Sequence, residues 1–94
     1  MATRALAHLE KDYVAVATDD LKKGENVEIA FLDTGKKVNL KVNEDVPLGH
    51  KVALRDLKKG DNIIEYGEVI GAATKDIKAG DHVHVHNIKS LRWQ

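Results

Sequence analysis

The sequence contains no cysteine, which excludes a disulfide framework and thiolate chemistry. It has a single proline and few aromatic residues: one Trp, two Tyr and one Phe. It has no excess of either charge, since 15 Lys and Arg balance 15 Asp and Glu, and the signs are interspersed. Nucleic-acid binding needs a positive footprint and often stacking rings, so this composition argues against it. No stretch approaches the ~20 apolar residues of a membrane span. Met1 to Glu10 lacks an apolar core of signal-peptide length. The expectation is a cytoplasmic protein without a membrane or nucleic-acid partner. At 94 residues it is expected to form one domain, 1–94. A domain of this size buries about 60–65% of its unfolded surface, which leaves little depth for an enclosed pocket. A subunit or a binding module is therefore favoured over an enzyme acting alone on a polar metabolite.

What is present is short alternation broken by glycine. Tyr13 to Ala17 sets valines against small alanines, which suits a strand covered on both faces. Val27–Phe31 and Val38–Val42 alternate around the turn Asp33-Thr34-Gly35-Lys36 and predict a hairpin with one wet face. Val52–Leu54, Asn62–Tyr66 and Val69–Ala73 are further short apolar runs. Pro47 and Gly49 disfavour a helix between Glu44 and Leu54, and amphipathic helical periodicity is absent elsewhere. About seven short strands in an all-β pseudo-barrel or clip are expected.

One turn motif recurs at Asp20–Val27, Asp56–Ile63 and Asp76–Val83. Each copy reads acid, aliphatic, lysine, any residue, glycine, acid, any residue, aliphatic. The first aliphatic plugs the core, the glycine accepts the positive φ of a tight turn, and the last aliphatic starts a strand. The spacing between copies is unequal, so this is a reused turn rather than a solenoid repeat.

The stretch with chemical potential is His82-Val83-His84-Val85-His86-Asn87. Its alternation predicts a strand with three histidines on one face and two valines in the core. Side chains at i and i+2 are rooted roughly 6.5–7 Å apart, a span that two imidazoles can close around a metal ion or an anion. Three solvated histidines on an exposed face fit the same spacing. His50, between Gly49 and Lys51, would leave its loop beside an ammonium group. Histidine can ligate metal or move protons near neutral pH, but a lone loop histidine is usually just solvated. Lys51 could pair with an anionic substrate, although it is one of 15 basic residues. Tyr66 could present its hydroxyl to a pocket or simply end a strand. Asn87 is either a substrate contact or a turn residue. Trp93 could cap the core or anchor a partner. No phosphate loop, nucleophile elbow or His-Glu-x-x-His motif occurs.

Gly49-His50-Lys51-Val52-Ala53-Leu54, then Glu65 to Ala73, then Asp76 to Asn87 form an ordered series. This series resembles the N-terminal SAF-type domain of the altronate and galactarate dehydratase family. His8 followed by Asp12-Tyr13-Val14-Ala15-Val16-Ala17 resembles that domain's opening pattern, with Tyr13 in place of the usual asparagine. Asp81 stands where glutamate is common. The resemblance implies an SAF β-clip and a hydro-lyase that converts a sugar acid to a 2-keto-3-deoxy acid. It implies a divalent metal, ferrous iron first and manganese second, shared with a large catalytic subunit. This chain would be the small subunit. His50, His84 and His86 would act in the shared site, His84 and His86 as metal ligands. Lys51, Asn87 and Tyr66 would contact substrate, and His82 would sit too near its turn to reach. The small subunit of sulfolactate sulfo-lyase, which expels sulfite instead of water, is the nearest alternative. A non-catalytic SAF module that binds a ligand or metal is an alternative of another class.

Overall fold

A computed structural model describes residues 2–90. Trp93 lies outside the described residues. Nine strands and no helix are present among them, in a curled half-barrel that agrees with the expected all-β pseudo-barrel. They are β1 (Thr3–Ala7), β2 (Val14–Ala17), β3 (Asn26–Phe31), β4 (Lys37–Lys41), β5 (Lys51–Ala53), β6 (Asn62–Glu65), β7 (Glu68–Ala73), β8 (His82–Val83) and β9 (Ile88–Ser90). Six form one sheet in the order β4-β3-β1-β2-β5-β8, and three form another in the order β6-β7-β9. The strands beyond the expected seven are β1 and β9. In β1 the core is reached only by Ala5 and Ala7, weak strand formers that give little local signal.

Two apolar clusters lie on opposite sides of the central strands. Ala15 and Ala17 of β2 enter the first, with Val27, Ile29 and Val52. Val14 enters the second, with Ala53, Ile63 and Val83. Small side chains on one face of β2 and a valine on the other let both layers pack closely, as the alternation predicted.

The recurrent turn occurs four times rather than three. Its fourth copy is Asp45-Val46-Pro47-Leu48-Gly49-His50. Buried aliphatics pair across turns, Leu21 with Val46 and Leu57 with Ile77. Burying each contributes roughly 1.5–3 kcal/mol. The leading acids lock the pairs reciprocally. Asp20 accepts from the Leu48 N–H and Asp45 from the Lys23 N–H, both at 2.9 Å. Asp56 accepts from Ala79 and Asp76 from Lys59, again at 2.9 Å. The turn glycines adopt φ between 84° and 95°, where a side chain would be strained.

Candidate functional site

Strands β5 and β8 pair antiparallel, with Lys51 opposite Val83 and Val52 opposite His82. Extending that register by one residue sets His50 across from His84. Their rings stack with centroids 4.5 Å apart and planes inclined by 26°. His50 Nδ1 lies 2.9 Å from His82 Nε2, so one nitrogen donates a proton to the other. The rings of His82 and His84 are 5.6 Å apart and nearly parallel. One ligand nitrogen from each of His50, His82 and His84 can be chosen so that all lie within 4.8 Å of one another.

The expected strand through His86 is not formed. β8 ends at Val83, and residues 84–87 make a turn. Asn87 explains the difference. Its Oδ1 accepts from the His84 N–H at 2.9 Å, and its Nδ2 donates to the His82 carbonyl at 2.7 Å. Its own N–H donates to the His84 carbonyl at 3.0 Å. These local bonds outcompete a strand ladder. Only Val83 reaches the core, while Val85 is 79% exposed rather than buried. The turn still keeps the imidazoles together, and His86 lies 5.2 Å from His82 by ring centroid. The grouped set is therefore His50, His82 and His84, not the His84–His86 pair. His82, expected to fall short, is in direct contact with His50.

Electrostatics favour the neutral imidazole at His82. Burial, then the neighbouring His50, His86 and His84, hold His82 below the usual histidine value, against an opposing pull from Glu44. Glu44 Oε1 accepts the edge-strand N–H of His82 at 3.0 Å. Nothing in the sequence marks Glu44, because its role comes from a fold-level approach to β8. Neutral imidazole is the form that ligates metal. Two nitrogens bound at about 2.1 Å on adjacent coordination positions sit about 3.0–3.4 Å apart. The 2.9 Å His50–His82 spacing is close to that range, so a cation could take the place of the shared proton once both rings turn their nitrogens toward a common point. An all-imidazole donor set suits iron, zinc, copper or nickel better than manganese, which prefers oxygen.

The other expected residues are placed as follows. Lys51 lines a 340 Å³ hollow with Gly49, His50, Val83, His84, Val85 and Ile88. Its Nζ is 3.9 Å from Glu65, a weak restraint that an anionic substrate could displace. Asn87 is 3% exposed and shapes the histidine turn rather than facing the hollow. Tyr66 is 65% exposed, and its ring rests on His8 at 4.5 Å. No hydrogen bond or ring contact joins Tyr66 to the imidazole cluster among the described residues, contrary to a shared pocket.

Residues 3–91 match the family described as the altronate/galactarate dehydratase SAF domain. A (2R)-sulfolactate sulfo-lyase subunit alpha from Chromohalobacter salexigens is 33% identical, over 99% of this chain and 100% of the relative. An altronate dehydratase from Bacillus subtilis is 40% identical over 86% of this chain, which spans only 15% of that relative. An altronate dehydratase from Escherichia coli is 47% identical over 84% of this chain, again 15% of the relative.

Proposed function

Because the chain belongs to the altronate/galactarate dehydratase SAF-domain family, we propose that it is the small subunit of a two-component lyase. Its histidines complete a metal-dependent site on a large catalytic partner. The observation that carries this reading is the convergence of His50, His82 and His84 at an open surface. In this reading the hollow of 340 Å³ beside these rings, lined by His50, Lys51 and His84 among others, forms one wall of that site.

The substrate is a 2-hydroxy acid with a leaving group on C3, in the first reading a sugar acid that loses water to give a 2-keto-3-deoxy acid. A base on the large partner takes the C2 proton, the C3 substituent departs with its bonding pair, and the resulting enol becomes the keto acid. A divalent ion, ferrous iron in the first reading, would be held by His50, His82 and His84 and would supply Lewis-acid polarisation of the substrate. In this reading His86, exposed beside His82, gives a proton to the departing hydroxyl. Lys51 orients the carboxylate. Sulfite expulsion from sulfolactate is the second reading, favoured by the relative matched along its whole length. Both readings share the first step and differ in the leaving group.

Reconstitution tests the proposal. The chain and a large dehydratase-type partner, each inactive alone, should together convert one acid from a panel of sugar acids and sulfolactate. Keto acid without sulfite assigns water as the leaving group; equimolar sulfite assigns the second reading. His50→Ala and His84→Ala should each lower turnover by about a hundredfold or more. Full turnover by both variants removes the cluster from the site, and no turnover by any pair leaves a binding module.

A further inference from the structure

One of the four turns lacks a side-chain bond that the other three make. In three of them the closing residue is an acid that accepts the N–H of the third residue: Glu25 from Lys22 at 2.7 Å, Asp61 from Lys58 at 2.8 Å, and Asp81 from Lys78 at 2.8 Å. In the remaining turn the third residue is Pro47, which has no N–H, and the closing residue is His50. The backbone is otherwise the same. The N–H of residues 25, 50, 61 and 81 each donates to the carbonyl of the third residue at 2.9–3.0 Å. The side chain at the closing position therefore starts from the same place in all four. In three it folds back over its own turn. In the fourth it turns outward to His82 and His84.

We infer that Pro47 is a positioning residue for the imidazole cluster. By removing the donor that a closing side chain would otherwise accept from, it leaves His50 Nδ1 free. Nδ1 is the atom that meets His82. It is also the ring nitrogen nearer the backbone, and so the one that a restored N–H at position 47 would capture, as local side chain–backbone bonds do. A backbone donor at 47 competes with His82 and with any cation for the same ring nitrogen. What His50 is held free to do rests on the function proposed above; that it is held free does not.

Pro47→Ala restores the N–H without adding charge, and the turn still forms, because the other three copies carry lysine there. Two readouts separate the claims. In Pro47→Ala the new residue-47 amide should be protected from hydrogen exchange, and adding His50→Ala should abolish that protection. An unprotected amide in Pro47→Ala, or protection that survives without His50, overturns the inference. With Ni2+ as the probe, Pro47→Ala should weaken binding roughly three- to tenfold, the worth of one hydrogen bond. It should change nothing in a His50→Ala background. Equal weakening in both backgrounds would mean general loosening of the turn and also overturns it. If the unmodified chain binds no Ni2+ at all, the metal site proposed above fails, while amide exchange still decides the part played by Pro47.

Discussion

Asp12 and Asn87 are the buried polar side chains among the described residues, and each fastens a turn that carries aromatic rings. They do so with different chemistry. Asp12 only accepts: from the Leu9 N–H at 3.2 Å and from the Gly67 N–H at 3.1 Å. It thereby joins the start of β2 to the far-off β6–β7 turn, where Tyr66 sits on His8. Asn87 both accepts and donates, and both partners lie within its own segment, at His84 and His82. Two N–H groups call for an acceptor-only carboxylate; one N–H and one carbonyl call for an amide. The acid ties distant parts of the chain and so secures the fold. The amide ties one segment to itself and so sets where the histidines point.

The largest test of that division is Asp12→Ala. It removes two bonds to a buried carboxylate, one from the half-buried Leu9 N–H and one from the N–H of the exposed Gly67, and should cost about 3 kcal/mol, at about 1.5–3 kcal/mol for each hydrogen bond to a charged group. Urea unfolding reads the loss. Ni2+ affinity of the folded variant should stay within about twofold of the parent. Asn87→Ala comes next, with a smaller expected loss of about 2 kcal/mol but the opposite signature. The 84–87 turn loses its clamp, and Ni2+ affinity should fall tenfold or more, in the range by which supporting groups tune metal sites. Asn87→Asp keeps the acceptor for the His84 N–H but sets an oxygen against the His82 carbonyl, so it should rescue little. If Asp12→Ala and Asn87→Ala weaken metal binding equally, the two turns are not separable and the comparison breaks.

The same contrast shows what could be read from the sequence and what could not. Val27–Phe31, Val38–Val42 and Asn62–Tyr66 were legible to within a residue or so at their ends, because short aliphatic or β-branched runs between glycine turns are a local signal. The parallel pairing of β1 with β3 has no such signal, since alanines serve many environments. Around the site, period-two spacing put His82 and His84 on one face and was right about that. It missed the turn at residues 84–87 because it weighed the alternation and not the side-chain bonds of Asn87. The approach of His50 depends on long-range pairing of β5 with β8, which spacing does not encode; it was expected from family resemblance alone. The fourth copy of the turn stayed hidden because proline and histidine replaced the lysine and acid that identify the others.

The smallest expected effect concerns the ring that Asp12 holds in place. Tyr66 and Gly67 form a two-residue hairpin loop with φ of 57° and 72°, a turn that favours Asn followed by Gly. A tyrosine in the left-handed region costs roughly 1–2 kcal/mol, partly offset by its contact with His8, worth about 0.5–1.5 kcal/mol. Tyr66→Asn removes both and should leave the chain more stable by about 0.5 kcal/mol. In a His8→Ala background the ring contact is already gone, so the same substitution should stabilise by the full backbone amount. Urea midpoints of the four proteins in that cycle measure the coupling between His8 and Tyr66. A gain that is identical in both backgrounds would mean the ring contact is worth nothing. The Asp12 side of the molecule would then hold Tyr66 by its backbone alone, as Asn87 holds the histidine turn.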